Sequence, residues 1–289
     1  HSMILQEEVI LFYINIYSKI KKNIMMKNIG KTHFDFSEFT GAFSKEISIS
    51  FLEWFVGFSE GDGSFVMNSR GSVTFVITQS IKNVETLFKI KEKLCFGKVI
   101  KQGITTYRYI VSKKHDIHML IFLFNGNLVI PSKKKDFVRW VNKYNIHNNM
   151  SIEVKNNEIF PSTNDAWLCG FTDAEGCFTC SLLNNSTAYR YRYILAQKGV
   201  ENKVVLNSIR NFLGGTVSSM FAENVYQLTV NGIKNNTKVI TYFDKYTLQT
   251  NKEKSYFLWK DVGYSIINKE HLNKISRENL KKKVSVMNK

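Results

Sequence analysis

Two carboxylates, Asp62 and Glu175, close two similar segments of the chain, "WFVGFSEGDGSF" (Trp54 to Phe65) and "WLCGFTDAEGCF" (Trp167 to Phe178). The preceding residues have helical spacing, which sets both acids at helix C-termini. The macrodipole is already negative there, and a carboxylate is disfavoured. Glu60 and Asp173 stand two residues earlier and add to the charge. Four carboxylates gathered at two paired helix ends repel strongly unless cations are bound there. Oxygen-only ligands favour Mg2+, with substrate phosphate and water completing its shell. Two solvated helix ends that never met would need no cation, but small residues argue for a meeting. Gly57 and Gly61 are four apart, as are Gly170 and Ala174, which makes a flat helix face. Glycine inside a helix costs about 1 kcal/mol against alanine. Close packing of the two repeated helices compensates for that cost and sets their ends side by side.

The repetition extends well beyond these segments. Asp62 and Glu175 are 113 residues apart, too far for a solenoid repeat and right for two half-size domains. Gln79 follows Asp62 by 17 residues, and Gln197 follows Glu175 by 22. Each is followed by a helical stretch ending in "CFGKV" or "FLGGTV". Lys133 and Lys252 come 36 and 38 residues after Gly97 and Gly214, each with a tryptophan seven further on, Trp140 and Trp259. Chance does not order five landmarks twice. The chain reads as a fused pseudo-dimer.

Each half reads helix, hairpin, helix, hairpin, helix. Ser50-Phe51-Leu52-Glu53 forms a capping box for the first helix, with Ile49 and Trp54 placed for a hydrophobic staple. Gly63 ends that helix as a left-handed C-cap. "FVMNSRGSVTFVITQ" alternates around a Ser-Arg-Gly turn and "KVIKQGITTYRYIVS" makes a second hairpin, with the amphipathic "IKNVETLFKIKEKL" between them. "DIHMLIFLF" starts further helix, and the tail from Asn268 is a charged helix. The expected division is an N-terminal extension over 1–49, a first half over 50–145, a polar linker over 146–163 and a second half over 164–289.

The stretches "FVGFSEGDG" and "LCGFTDAEG" resemble two copies of the LAGLIDADG motif, arranged as in single-chain homing endonucleases. The resemblance covers the chain from about residue 50 onward, and the paired motif is highly specific. It implies an α+β fold of two pseudo-symmetric αββαββα halves, with the motif helices at their interface and antiparallel sheets forming a DNA-binding saddle. The implied activity is metal-dependent hydrolysis that leaves a staggered double-strand break in a long asymmetric DNA site. By position, Asp62 and Glu175 would bind Mg2+, with Gly61 and Ala174 beside them. Gln79 and Gln197 would order active-site water, and Lys133 and Lys252 would lie by the cleaved phosphate. Proteins of this fold also serve as intron RNA maturases or as DNA-binding regulators. Neither role requires both acids, so their retention favours the enzyme. The expected partner is double-stranded DNA, with intron RNA as the alternative, and the expected state is a monomer.

Alternation from Asp62 puts Ser64, Val66 and Asn68 on the DNA face, with Phe65 and Met67 in the core. Arg70 lies in the turn between those strands. Thr179 and Ser181 should face DNA in the second half, as should Arg190 and Arg192 on the strand leading to Gln197. Gln102, Arg108 and Gln227 come from the second hairpins. His115 and His118 read as plain surface residues.

Bulk composition agrees with this reading. Forty basic side chains against 24 acidic ones leave a net charge of +16, which a fold does not need and a polyanionic partner explains. Four cysteines make no disulfide framework, so a reducing compartment is expected. Cys177 and Cys180 form a lone CxxC that points to opposite faces of a strand, while Cys95 and Cys169 read as small buried residues. His1 and Ser2 ahead of Met3 read as a cloning remnant. The run from Val9 to Ile16 is too short to span a bilayer and reads as an amphipathic helix. Abundant Asn, Lys and Ile point to A/T-rich codons and an organellar genome such as that of mitochondria.

Overall fold

The chain follows one plan twice, preceded by a short helix, α1 (Ser37–Ala42). The computed structural model describes residues 33–184 and 186–288, so the helix expected over 9–16 lies outside the described residues. The first half runs α2 (Ile49–Asp62), β1 (Gly63–Met67), β2 (Val73–Ser80), α3 (Val84–Leu94), β3 (Lys98–Lys101), β4 (Thr106–Val111), α4 (Lys114–Phe124) and α5 (Pro131–Asn148). The second runs α6 (Trp167–Glu175), β5 (Gly176–Leu182), β6 (Tyr189–Lys198), α7 (Lys203–Leu213), β7 (Thr216–Ser219), β8 (Val225–Asn231), α8 (Thr237–Lys245) and α9 (Lys252–Ile267). A charged helix, α10 (Lys274–Val286), closes the described chain. Each half holds a four-stranded antiparallel sheet with the same order, β1-β2-β4-β3 and β5-β6-β8-β7.

The same ring cage fills each half. Phe65 lies 5.2 Å from Trp140 and 5.5 Å from both Phe75 and Phe124. Phe178 lies 5.2 Å from Trp259, 5.5 Å from Tyr193 and 5.2 Å from Phe243. These tryptophans are the ones found seven residues after the two lysines. They lock the lysine helices α5 and α9 onto the sheets through tilted and stacked ring contacts. Phe34, Phe36 and Phe39 also enter the core, which is one continuous cluster across both halves.

The motif helices α2 and α6 meet backbone to backbone. A Cβ on Gly57 would fall 2.0 Å from the Trp167 carbonyl oxygen, and one on Gly170 would fall 1.8 Å from that of Trp54. A Cβ on Gly61 would meet the Ala174 methyl at 2.2 Å. The small-residue face read from the sequence is therefore the contact surface.

Several local expectations are corrected. The N-cap of α2 is Ser48, whose side chain accepts the Phe51 N–H at 3.3 Å, so the capping box at Ser50 does not form. Glu53 instead reaches the other half and accepts the Ala166 N–H at 2.9 Å, at the start of α6. Gly63 is extended (φ −82°), not left-handed. Its missing side chain serves a close approach, since a Cβ there would fall 2.4 Å from the Ser59 carbonyl oxygen. Cys95 is exposed and left-handed (φ 60°), because it ends α3 and is not a core residue. Cys169 is buried, and Cys177 and Cys180 do face opposite ways on β5. His118 is half-buried against Phe122 and Tyr144, whereas His115 is exposed.

Replacing Gly57 or Gly170 by alanine adds only a methyl group, yet it would force apart two backbones already in contact. Each variant should lose about 1–3 kcal/mol of stability, the usual cost of overpacking. Urea titration of both variants checks this, and unchanged midpoints would show that the helices do not pair through that face.

Candidate active site

Glu60 and Asp173 are buried and fully engaged, so the four acids do not form one repelling cluster. Glu60 accepts the Val129 and Ile130 N–H groups at 2.7 Å each and the Trp167 indole N–H at 2.6 Å. Asp173 accepts the Gln249 N–H at 2.7 Å, the Thr250 hydroxyl at 2.5 Å and the Trp54 indole N–H at 2.8 Å. Each acid thus ties the loop before its own half's lysine helix to a tryptophan of the other half. Burial pushes the Glu60 carboxyl up to about 7 against the pull of these donors, and it raises Asp173 in the same sense. The expectation treated all four acids as free charge. Of these four, only Asp62 and Glu175 keep carboxylate oxygens without a protein hydrogen-bond donor among the described residues, Asp62 using one oxygen on Gln79.

Those two acids, Asp62 and Glu175, end their helices side by side. Burial raises both carboxyls, and the charge of Asp62 raises Glu175 further. Lys252 and Lys133 act in the opposite direction on each, so both ammonium groups stand close by. Lys133 donates to the Gly63 carbonyl at 2.5 Å. Lys252 donates to the Thr172 and Ala174 carbonyls at 3.1 and 2.8 Å, in the last turn of α6. Burial lowers the pKa of Lys252, and Asp173, Asp62 and Glu175 oppose that shift.

The two glutamines occupy equivalent positions despite their different spacings. Gly63 pairs with Ile77 and Gly176 pairs with Leu195, and each glutamine lies two residues beyond that partner. The longer second hairpin absorbs the difference. Gln79 donates to an Asp62 carboxylate oxygen at 2.5 Å. Among the described residues no hydrogen bond joins Gln197 to Glu175. Gln197 borders an open cleft of about 370 Å³ together with Glu175 and Lys133.

The outer faces of the sheets carry most of the residues expected at DNA. Ser64 is exposed opposite Val76, and Arg108 stands opposite Thr78 and Ile100. Thr179 pairs with Arg192, Ser181 with Arg190, and Gln227 lies across from Ala196 and Ser218. The Gln227 side chain donates to Thr229 Oγ1 at 2.9 Å. Arg70 and Gln102 are exposed in the two turns of the first sheet. Asn68 uses its side-chain oxygen on the Ser72 N–H at 2.9 Å and its amide on the Ser72 hydroxyl, which closes the β1–β2 turn. Met67 is 41% exposed rather than in the core, because β1 has run past its cage by that point. The same alternation extended along β2, β3 and β8 would have added Thr78, Lys98 and Asn231. Glu60, Asp173, Trp54 and Trp167 were also missed as the tie between halves, although their matching places in the repeat were visible.

The LAGLIDADG endonuclease family profile matches residues 55–144 and 168–263. The chain belongs to that family. It is 40% identical over 227 residues to the probable intron-encoded endonuclease 4 of Neurospora crassa, across 76% of this chain and 41% of the relative. The chain therefore spans about two fifths of that relative's length. It is 25% identical over 240 residues to an uncharacterized cox1 intron-2 protein of Schizosaccharomyces pombe, covering 80% of this chain and 71% of the other. The homing endonuclease I-GzeII, solved in complex with its DNA target, superposes with a TM-score of 0.72 at 22% identity. That match covers 84% of this chain and 99% of I-GzeII and shows a shared fold.

Trp54→Phe or Trp167→Phe keeps the ring volume nearly intact but removes a donor from a buried carboxylate. Each should cost about 1–3 kcal/mol, the penalty of an under-satisfied buried polar group. Thermal unfolding of both variants checks this, and full stability in the double variant would mean that the crossing bonds do not hold the halves together.

Proposed function

We propose that this chain is a homing endonuclease that cuts both strands of a long, asymmetric DNA site. The observation that carries this reading is the meeting of Asp62, half-buried, and Glu175, exposed, between Lys133 and Lys252 where two strand faces flank the helix ends. Nothing in folding asks for this pair. Each acid raises the cost of ionising the other, and a divalent cation relieves both.

The donor set fits Mg2+, which takes one or two carboxylates and completes its shell with water and substrate phosphate. Among the described residues no group of three or more His, Cys, Asp or Glu is placed to hold a metal ion. Asp62 and Glu175 would hold the cation, with the Gly61 carbonyl next to them. The Ala174 carbonyl joins only if Lys252 releases it. When bound, the cation lowers the pKa of water and neutralises charge on the phosphate in flight. Lys133 and Lys252 add positive charge where negative charge develops. Gln79 holds one oxygen of Asp62 and leaves the other for the cation. Gln197, whose side chain has no protein partner among the described residues, can orient water.

Each half contributes one acid, one lysine and one glutamine, so one chain supplies a pair of sites and the monomer is the working unit. Two sites serve two strands, which gives a staggered break. The sheets' outer faces, with Arg70, Arg108, Arg190 and Arg192, would read the major groove. An RNA maturase on this fold would need neither Asp62 nor Glu175, and their placement between two lysines favours the nuclease. Among the described residues no helix is long and apolar enough to cross a membrane. Intron-encoded relatives and the abundance of Asn, Lys and Ile support an origin in a mitochondrial intron.

Incubation with a plasmid library of random sites and Mg2+ should linearise a defined subset, and EDTA should abolish this. On the recovered site, Asp62→Asn and Glu175→Gln should each stop cleavage while binding persists. Cutting by either variant at the wild-type rate would remove these acids from the active site.

Arg192→Ala tests the reading face. If Arg192 reads a base, its loss should cost about 1–3 kcal/mol and relax specificity at one position. Binding to a panel of single-base variants measures this. A uniform loss across the panel, with a salt slope shallower by about one unit, would assign Arg192 to the phosphate backbone.

A further inference from the structure

The two halves match in fold and in site residues, but their polar wiring differs, most plainly around the two glutamines. After each second strand, a short turn presents an asparagine, Asn83 in Ile81–Asn83 and Asn202 in Val200–Asn202. Each reaches the other half and caps its lysine helix. The Asn83 side-chain oxygen accepts the Asn251 N–H at 3.1 Å, one residue before Lys252. That of Asn202 accepts the Ser132 N–H at 3.2 Å, one residue before Lys133.

The amide ends of these asparagines go different ways. Ser132 offers a hydroxyl, and Asn202 spends its amide on it at 2.9 Å and on the Lys198 carbonyl at 2.7 Å. Asn251 has no hydroxyl, and its own amide donates to the Lys82 carbonyl at 2.6 Å. The amide of Asn83 is therefore free, and it donates to the Gln79 side-chain oxygen at 3.1 Å. Gln79 in turn donates to Asp62 at 2.5 Å.

The polarity of this chain is set at both ends. A backbone N–H can only donate, so the oxygen of Asn83 must face Asn251 and its amide must face Gln79. An ionised carboxylate can only accept, so the amide of Gln79 must face Asp62. No flip of either amide keeps all three bonds. Gln79 is thereby held in one rotamer and one orientation by the other half's lysine helix, whereas Gln197 is held by nothing among the described residues.

We infer that Asn83 is a positioning residue that pre-sets the Asp62 site through Gln79, and that the two strands of the DNA are consequently cut by non-equivalent sites. This rests on the endonuclease reading for its strand-cleavage consequence. Two differences at matching places in the repeat accompany the asymmetry, Ser132 against Asn251 and the one extra residue between Gln197 and Asn202.

The test uses the full chain and the DNA site recovered from the library, with the two strands carrying different labels. Asn83→Ala should slow nicking of one strand on the order of tenfold, the usual scale for losing an orienting partner of a metal-site residue. Asn202→Ala removes an equally buried crossing bond but touches no glutamine, and it should leave the ratio of the two nicking rates unchanged. Asn251→Ser keeps the backbone N–H and supplies the competing hydroxyl. It should shift the ratio in the same direction as Asn83→Ala without unfolding the chain.

A second readout needs no cleavage. In DNA-free protein with ¹⁵N-labelled glutamine side chains, one amide pair should be shifted and slow to exchange. That signature should vanish in Asn83→Ala and in Gln79→Ala and survive in Asn202→Ala. Equal slowing of both strands by Asn83→Ala and Asn202→Ala alike would overturn the inference, as would survival of the amide signature in Asn83→Ala. If the wild-type chain cut no site, the endonuclease reading and the strand claim would fall together, and the amide spectra would still decide whether Asn83 positions Gln79.

Discussion

Everything in this molecule hangs on how closely two helix backbones approach. At Gly57 and Gly170 there is no room for even a methyl group, since the partner's carbonyl oxygen lies where a Cβ would stand. The contact gains dispersion along its length and excludes water from the faces of α2 and α6, which offsets the helix-propensity cost of glycine. It also fixes a distance. The ends of α2 and α6 arrive together, and with them the two carboxylates that terminate the motifs. Had the helices been separated by side chains, Asp62 and Glu175 would be two ordinary solvated acids.

Close approach brings four acids near one another, and the fold deals with them in two ways. Glu60 and Asp173 are withdrawn from the site and saturated with N–H and hydroxyl donors, some from their own half and one from the opposite half. A buried carboxylate is tolerable only when its oxygens are hydrogen-bonded, and here those bonds also fasten the lysine helices to the motif helices. Asp62 and Glu175 are left unsaturated, with raised pKa values and two ammonium groups nearby. The same type of side chain, two residues apart, acts as a structural tie in one place and as unspent charge in the other. The difference lies in which backbone groups face it.

The pseudo-two-fold plan is strict where geometry matters and loose elsewhere. Ring cages around Phe65 and Phe178 repeat to within a few tenths of an ångström. The hairpins differ in length, and the linker between halves has no repeat counterpart. A fused pair can drift apart in sequence as a homodimer cannot, because each position mutates alone. The different amides and hydroxyls around Asn83 and Asn202 show this drift reaching the polar contacts next to the site.

The repeat, the glycine spacing, the acids Asp62 and Glu175 and the later lysines and glutamines were all legible in the sequence. They are local or ordered features, and a duplicated chain displays each of them twice. Helices and strands followed from periodicity for the same reason. Several of the misreadings share one cause, since they concerned a group whose partner is remote in sequence. Glu53 looked like a capping residue, and it bonds to Ala166 in the other half. Glu60 and Asp173 looked like free charge, and their donors lie 69 to 119 residues away. Gly63 looked like a left-handed cap, and it is extended beneath Phe75. Strand parity placed Ser64 and Arg192 on the outer sides of their strands, away from the buried Phe75 and Tyr193, because alternation is a property of the chain itself. The partner of an exposed-looking polar atom is a property of the fold. Hydrogen bonds act over about 3 Å, and only the tertiary structure decides which groups come that close.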